Sequence, residues 1–354
     1  MISSLSETHL NYLNNLTDAF FRDSLNRNLA ENTAKQYKAS VQRYLELTGA
    51  DQFRKDADYL AYKPHMTAFL EELRKKEISY SHMKAEFTAL NNFFAFLIDD
   101  GIILNNPVLA FRARYVREFK DPTPDPRKVL TIEELALLLA TAHTDRRGTL
   151  WMAVILLLAV TGLRRSELVA LNIGDVDFEN RILHVRKHKK RSNCLVPFSE
   201  EAAGFLLDYL EFRIELGHEL NSTDPLFLGS FNKNRIGGEH IRLSLQRLGR
   251  KCGLHNDFGR SDEKLIIHGF RHTFTTLFKE AGMSPEFVAE ARGDRRQLSQ
   301  DAYYRITARR LREEYDKFAP RILSSFYSII NPEKSGIILS QKGQFDASLE
   351  SCSA

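Results

Sequence analysis

The sequence is poor in the residues that extracellular or metal-centred chemistry requires. Its three cysteines, Cys194, Cys252 and Cys352, stand far apart and form no CxxC pair, so neither a disulfide framework nor a cysteine zinc site is indicated. No charge of one sign dominates. Fifty Lys and Arg oppose 46 Asp and Glu, a net charge of +4, which permits a polyanionic partner without demanding one. Long hydrophobic runs are missing too: the most apolar stretch, Trp151 to Val160, is too short to cross a bilayer. The N-terminal Met-Ile-Ser-Ser-Leu-Ser-Glu lacks a charged region followed by a hydrophobic one. These absences lead us to expect a cytoplasmic chain with no membrane partner. There is no internal repeat, P-loop, GxSxG, HExxH or EF-hand pattern, so phosphate-loop ATPase, serine hydrolase and zinc protease readings lose their entry points.

What is present is a chain of 354 residues, long enough for two domains. From about Leu10 to Leu109 the apolar residues recur at helical spacing. Tyr37, Val41, Tyr44 and Leu45 make one stripe, Met66, Phe69, Leu70 and Leu73 a second, and Met83, Phe87, Leu90, Phe94 and Leu97 a third that Gly101 closes. We read a helical module over residues 1–111, its aromatics packing a core rather than stacking on bases. Residues 112–128 then change character. Arg112, Arg114, Arg117, Lys120, Arg127 and Lys128 alternate with Pro122, Pro124 and Pro126, which suits an interdomain linker able to lie along a phosphate backbone, or simply a solvated loop.

A second domain is expected over residues 129–320, opening on the capping box Thr131-Ile-Glu-Glu134. Trp151 to Val160 should be a central buried helix ending at Thr161-Gly162, with a new helix from about Leu163 carrying Arg164 and Glu167 one turn apart. Ile182 to Val185 and Cys194 to Pro197 read as short strands around a basic tip, Arg186-Lys-His-Lys-Lys-Arg191, that no acidic residue interrupts. That uninterrupted run favours a polyanion partner. Helices resume from about Glu200, and again from Glu239 to Cys252. Residues 321–354 hold an apolar segment, Ile322 to Ile330, that docks either on a neighbouring protomer or on its own domain, and then a polar tail.

The stretch from Ile266 to Tyr304 concentrates the chemistry. His268 and Arg271 lie three apart on a helical pattern and can face one anion. Further on come Gly293-Asp294 and the pair Tyr303-Tyr304. Gathered with Arg164 and a hairpin lysine, these groups suit a phosphodiester. Two guanidiniums hold its non-bridging oxygens and offset the charge that grows in a pentacoordinate transition state, with no metal required. A tyrosine is a poor nucleophile unless nearby cations favour its anion, and His268 can accept or relay its proton. Taken singly, each group has a plainer reading: Arg164 with Glu167 as a surface ion pair, His268 as a core histidine, the tyrosines as packing.

Thr161-Gly-Leu-Arg164-Arg-Ser-Glu167-Leu, His268-Gly-Phe-Arg271-His272-Thr-Phe, and Gly293 followed ten residues later by Tyr303 together resemble the tyrosine recombinase (phage integrase) family that includes the Cre and Xer enzymes. The resemblance covers nearly the whole chain. It implies a mainly α fold with a small antiparallel β-sheet, an N-terminal core-binding (SAM-like) domain and a catalytic domain. It also implies a site-specific DNA recombinase that cuts and rejoins strands through a 3′-phosphotyrosine, without metal, ATP or other cofactor. The partners implied are double-stranded DNA at specific recombination sites, three further copies in a homo-tetramer on DNA, and in some members an accessory bending or directionality factor. Carried over residue by residue, Arg164, His268, Arg271 and Tyr303 match the family's catalytic positions and Glu167 its bracing carboxylate; Tyr304 is the rival nucleophile. The hairpin lysine is Lys189 by counting back from Val196-Pro197, with Lys187 and Lys190 as alternatives. One position departs: where most members have His or Trp after the glycine, this chain has Asp294, which a phosphate repels unless it is paired. That departure keeps open a DNA-binding protein of the same fold with impaired catalysis. A type IB topoisomerase, sharing the tyrosine and cation chemistry, is the enzymatic rival.

Overall fold

The computed structural model describes residues 7–48, 63–116, 127–186, 192–229, 234–294 and 306–331, with side chains from residue 15 onward. The chain divides into two compact units, Met1–Thr123 and Pro124–Ala354.

The first unit is helical: α1 (Glu7–Asn26), α2 (Glu31–Thr48), α3 (Lys63–Lys75), α4 (Tyr80–Asp99) and α5 (Val108–Tyr115). The apolar stripes form its core, where Tyr44, Phe87, Leu90, Phe94 and Leu97 are wholly buried. Tyr44 meets Phe69 and Phe94 edge-on, with centroids 5.3 and 6.0 Å apart, a geometry that suits the ring quadrupoles. α4 is capped by Ser79 and stops at Asp100, after which Gly101 takes a left-handed conformation that glycine adopts without strain. The helical pattern runs further than the sequence suggests. Phe111 stacks on Phe87 with centroids 5.5 Å apart, and Arg112 donates to Thr88 Oγ1 at 3.0 Å, so Arg112 and Arg114 stand on a packed helix rather than in an extended strap. Arg117, Lys120 and the three prolines lie outside the described residues.

The second unit starts as its capping box dictates. Thr131 Oγ1 accepts from the Glu134 backbone N–H while the Glu134 carboxylate accepts from that of Thr131, launching α6 (Ile132–His143). α7 (Gly148–Thr161) is apolar on every side, and each residue from Leu150 to Thr161 is buried. It is accordingly the central element, packed against α6, α9 (Glu200–Glu215) and α11 (Ile267–Glu280). Between α7 and α9 come the short α8 (Arg165–Ala170) and an antiparallel sheet in the order β1 (Val176–Asp177), β2 (Ile182–His184), β3 (Leu195–Pro197). The buried Leu183 pairs with Val176 on one side and Val196 on the other. β1 escapes a sequence reading because two residues show no alternation. The tip residues 187–191 lie outside the described residues.

α10 (Gly238–Lys251) buries Ile241, Leu245 and Leu248 on one face. After α11 come α12 (Pro285–Arg292), α13 (Ala308–Phe318) and α14 (Leu323–Ile330). A separate apolar cluster joins α11, α12 and α13 through Phe274, Phe278, Phe287, Val288, Leu311 and Tyr315. Tyr315 is wholly buried and donates to Val160 O at 2.6 Å, tying α13 to the end of α7. The apolar C-terminal segment docks on its own chain: Phe326 is 2% exposed, its ring 5.9 Å from that of Phe205, and the Glu201 carboxylate caps α14 by accepting from the Ile322 N–H at 2.8 Å. No described helix is long and apolar enough to cross a membrane.

This docking has a measurable consequence. Phe326→Ala deletes a buried ring, and in urea unfolding should lower the stability of the second unit by about 3–5 kcal/mol. A loss under about 1 kcal/mol, the scale of a surface change, would mean that α14 does not rest there.

Candidate functional site

The site is assembled where α7 ends. Gly162 caps that helix at φ 59°, in the left-handed region, and a Cβ there would meet the Phe274 ring at 3.0 Å. Only glycine satisfies both constraints. The chain then buries Leu163 and turns extended at Arg164. The sequence suggests a helix that contains Arg164; the structure instead places Arg164 just before α8, as its N-cap. The physical reason is Glu167. Its carboxylate accepts the Arg164 backbone N–H at 2.8 Å and holds the Arg164 guanidinium at 3.0 Å, so one 7%-exposed side chain fixes both the backbone and the head of the arginine.

Arg271 sits in the second turn of α11 and is 3% exposed. Its Nη1 donates to Gly162 O at 2.7 Å, and its Nη2 donates to Arg292 O at 3.1 Å and to Asp294 Oδ1. Burial first, and then the nearby Arg292, pull its pKa down to about 10, with Asp294 opposing. It therefore remains a cation at neutral pH.

Asp294 follows the second left-handed glycine, Gly293 (φ 66°), which caps α12. Its backbone is held from two sides: its N–H donates to Ala289 O at 3.0 Å, and its carbonyl accepts from Ser192 Oγ at 2.7 Å. Its carboxylate joins the two arginines that the sequence singles out. Oδ1 accepts from Arg164 Nη2 at 3.2 Å and from Arg271 Nη2, while Oδ2 lies 3.1 Å from Arg292 Nε. Arg164, Arg271 and Arg292 thus surround one carboxylate. Asp294 is therefore paired, as a carboxylate beside a phosphate site has to be. Burial lowers the Arg292 pKa, and its Nε makes no hydrogen bond despite its closeness to Oδ2.

His268 stands in the first turn of α11, exposed at the surface, with its ring centroid 5.1 Å from that of His272. Partial burial of the ring, then His272, Arg127, Arg271 and Arg292, hold its pKa below the ordinary 6.5. His268 is therefore neutral at pH 7 and can accept a proton. It lies in the field of Arg271 but makes no described hydrogen bond to Arg271 or Asp294. Lys187, Lys189, Lys190, Tyr303 and Tyr304 all lie outside the described residues. Among the described residues no three His, Cys, Asp or Glu side chains gather to hold a metal ion.

Sequence reasoning passed over the hairpin's seam with the site. The Ser192 N–H donates to Gly293 O at 3.1 Å, and Asn193 Nδ2 to Glu290 O at 3.3 Å. The chain leaving the basic tip is therefore stitched to the turn that carries Asp294. Polar residues beside a charged run give no signal of such a partner.

Known proteins resemble this chain in sequence and in fold. Residues 128–310 match the phage integrase family. The chain is similar to the tyrosine recombinase XerC of Roseiflexus castenholzii, 30% identical over 285 residues that make up 79% of this chain and 85% of that one. It is also similar to the tyrosine recombinase XerA of Pyrococcus furiosus, 28% identical over 293 residues, 81% and 88% of the two chains. Among solved structures, the Tn1549 transposon integrase in complex with circular intermediate DNA superimposes with a TM-score of 0.60 at 24% identity, over 85% of this chain and 99% of that one. A lambda integrase tetramer bound to a Holliday junction does so with a TM-score of 0.59 at 18% identity, over 81% and 78%. These two share the fold.

Two measurements check the site as described. Gly162→Ala forces an L residue into the left-handed region against Phe274 and should cost at least about 1–2 kcal/mol in chemical denaturation; an unchanged midpoint would contradict the cap. In an NMR titration of the DNA-free protein the His268 C2–H should titrate below 6.5, and Arg127→Ala should move that midpoint upward. A midpoint above 6.5 would contradict the assigned field.

Proposed function

The chain belongs to the phage integrase family, the tyrosine recombinases, and we propose that it recombines duplex DNA at specific sites by transient covalent attachment to the cut strand. In this reading Arg164 and Arg271 hold the non-bridging oxygens of the scissile phosphate and offset the negative charge that develops on them. The Tyr303 oxygen attacks phosphorus, and His268, held neutral, accepts the phenolic proton. The bond from phosphorus to the 5′ oxygen breaks, and Lys189 protonates the departing alkoxide. This leaves a 3′-phosphotyrosine and a free 5′ hydroxyl. Attack on the ester by the 5′ hydroxyl of a partner strand rejoins the backbone and releases the tyrosine. Because the ester retains the bond energy, neither ATP nor a metal is required.

The observation that carries this reading is the shared acceptor. Arg164 caps α8 and Arg271 lies within α11, yet one oxygen, Asp294 Oδ1, receives Nη2 of both, so the two guanidiniums do reach a single anion. The bonds from Ser192 to Gly293 and Asp294 support a lysine contributed by the adjoining tip. The Tn1549 integrase structure is a complex with circular intermediate DNA and the lambda integrase structure a tetramer bound to a Holliday junction, which supports duplex DNA as the partner and a tetramer as the working assembly. Accessory bending or directionality factors fit the same scheme. Asp294 itself favours a second reading, a DNA-binding protein whose anion seat its own carboxylate keeps filled.

Nicked duplexes made from the DNA flanking the chain's own gene, incubated with the full-length protein in EDTA, separate the readings. We expect an SDS-resistant protein–DNA adduct from wild type and from Tyr304→Phe, and none from Tyr303→Phe. An adduct lost only in Tyr304→Phe would move the nucleophile by one residue, and sequence-specific binding without any adduct would favour the inactive binder. Relaxation of supercoils without any particular site would favour the topoisomerase.

A further inference from the structure

Asp294 is more than a departure from a pattern. We propose that its carboxylate is the resident occupant of the anion seat between Arg164 and Arg271 in the DNA-free protein, and that an incoming phosphodiester displaces it onto Arg292. The inference rests on the reading of that seat as the phosphate site and specifies what the phosphate must do to enter.

The hydrogen bonds point this way. Arg164 Nη1 is committed to Glu167 and Arg271 Nη1 to Gly162 O, whereas Nη2 of each converges on Asp294 Oδ1. One carboxylate oxygen bridging two guanidiniums occupies the position that a non-bridging phosphate oxygen would take. A phosphate that entered while the carboxylate stayed would set two anions on one pair of cations, in a partly buried place where their repulsion is poorly screened. The carboxylate therefore has to leave, and a receiver is at hand. Arg292 Nε is buried and makes no hydrogen bond, although it lies 3.1 Å from Asp294 Oδ2. The two groups form an ion pair without hydrogen-bond alignment, which is costly for a buried donor, and rotation of the Asp294 side chain away from the bridge would bring its carboxylate into line with that N–H. The backbone can stay still, since Ala289 and Ser192 pin Asp294 on both sides. The exchange is a side-chain movement that keeps the buried guanidiniums paired in both states.

An internal occupant lowers the apparent affinity of an external one by the fraction of molecules whose seat is open. Inorganic phosphate, titrated into the full-length DNA-free protein by calorimetry, is the probe. Asp294→Asn keeps the size of the side chain and removes its charge. We expect it to bind phosphate at least about tenfold more tightly than wild type, and we expect Arg164→Ala in the Asp294→Asn background to abolish the gain. Equal affinities in wild type and a folded Asp294→Asn protein would overturn the proposal, as would a gain that survives Arg164→Ala. Asp294→Ser, which also removes the charge, is read in the same way should the asparagine variant not fold. The adduct assay keeps the two claims apart. An adduct from wild type with no phosphate gain in Asp294→Asn sinks the occupant and leaves the cleavage reading standing; a gain without any adduct does the reverse.

Discussion

A guanidinium removed from water has to be given acceptors, and the placement of Arg271 is the constraint on which the second unit depends. Its partners are Gly162 O, Arg292 O and the Asp294 carboxylate, which is to say the ends of α7 and α12 and the second residue after α12. Neither carbonyl can shift without leaving a buried cation short of a bond, an error that costs more than the bond itself contributes, and the carboxylate can leave only when another anion takes its place. The two left-handed glycines stand at these ends, Gly162 and Gly293, because each helix must stop and turn its chain toward Arg271.

The apolar packing makes those ends rigid enough to matter. α7 is buried on all sides and fixes where Gly162 lies. Phe274, one turn beyond Arg271 in sequence, packs against Gly162 and belongs to the cluster that joins α11 to α12 and α13. Tyr315 then bonds α13 back to Val160, two residues before the Gly162 turn. The arginines are thus positioned by a closed circuit of core contacts and helix ends. Charge alone would repel them: Arg164, Arg271 and Arg292 stand together only because Glu167 and Asp294 lie among them.

Much of this is legible in the sequence, for definable reasons. The all-round apolar run of α7, the Thr131 capping box and the aromatic stripes of the first unit are local patterns, and local patterns survive folding. Arg164, Glu167, His268 and Arg271 stand out because their order and spacing have no explanation in packing. What escapes is what depends on tertiary placement. Arg164 reads as helical, yet it is a cap, because the buried Leu163 and the Glu167 carboxylate together set its backbone extended. Val176–Asp177 is too short to show alternation. α5 continues to Tyr115 because Phe111 finds Phe87, a partner some two dozen residues earlier in the chain. Asp294 shows in the sequence only as an exception; that it joins three arginines follows from the turn at Gly293 and from the bond its carbonyl accepts from Ser192. Lys189 and Tyr303, which the proposed chemistry requires, rest on the family resemblance.

The central claim is that Arg164 and Arg271 form one seat for one phosphate. A crystal structure of the full-length Tyr303→Phe protein on a duplex containing its own recombination site tests this most directly. The account predicts a backbone phosphate with non-bridging oxygens within hydrogen-bond reach of both guanidiniums, and the Asp294 carboxylate turned to Arg292 Nε. A scissile phosphate held elsewhere, with Asp294 still bridging Arg164 and Arg271, would contradict it.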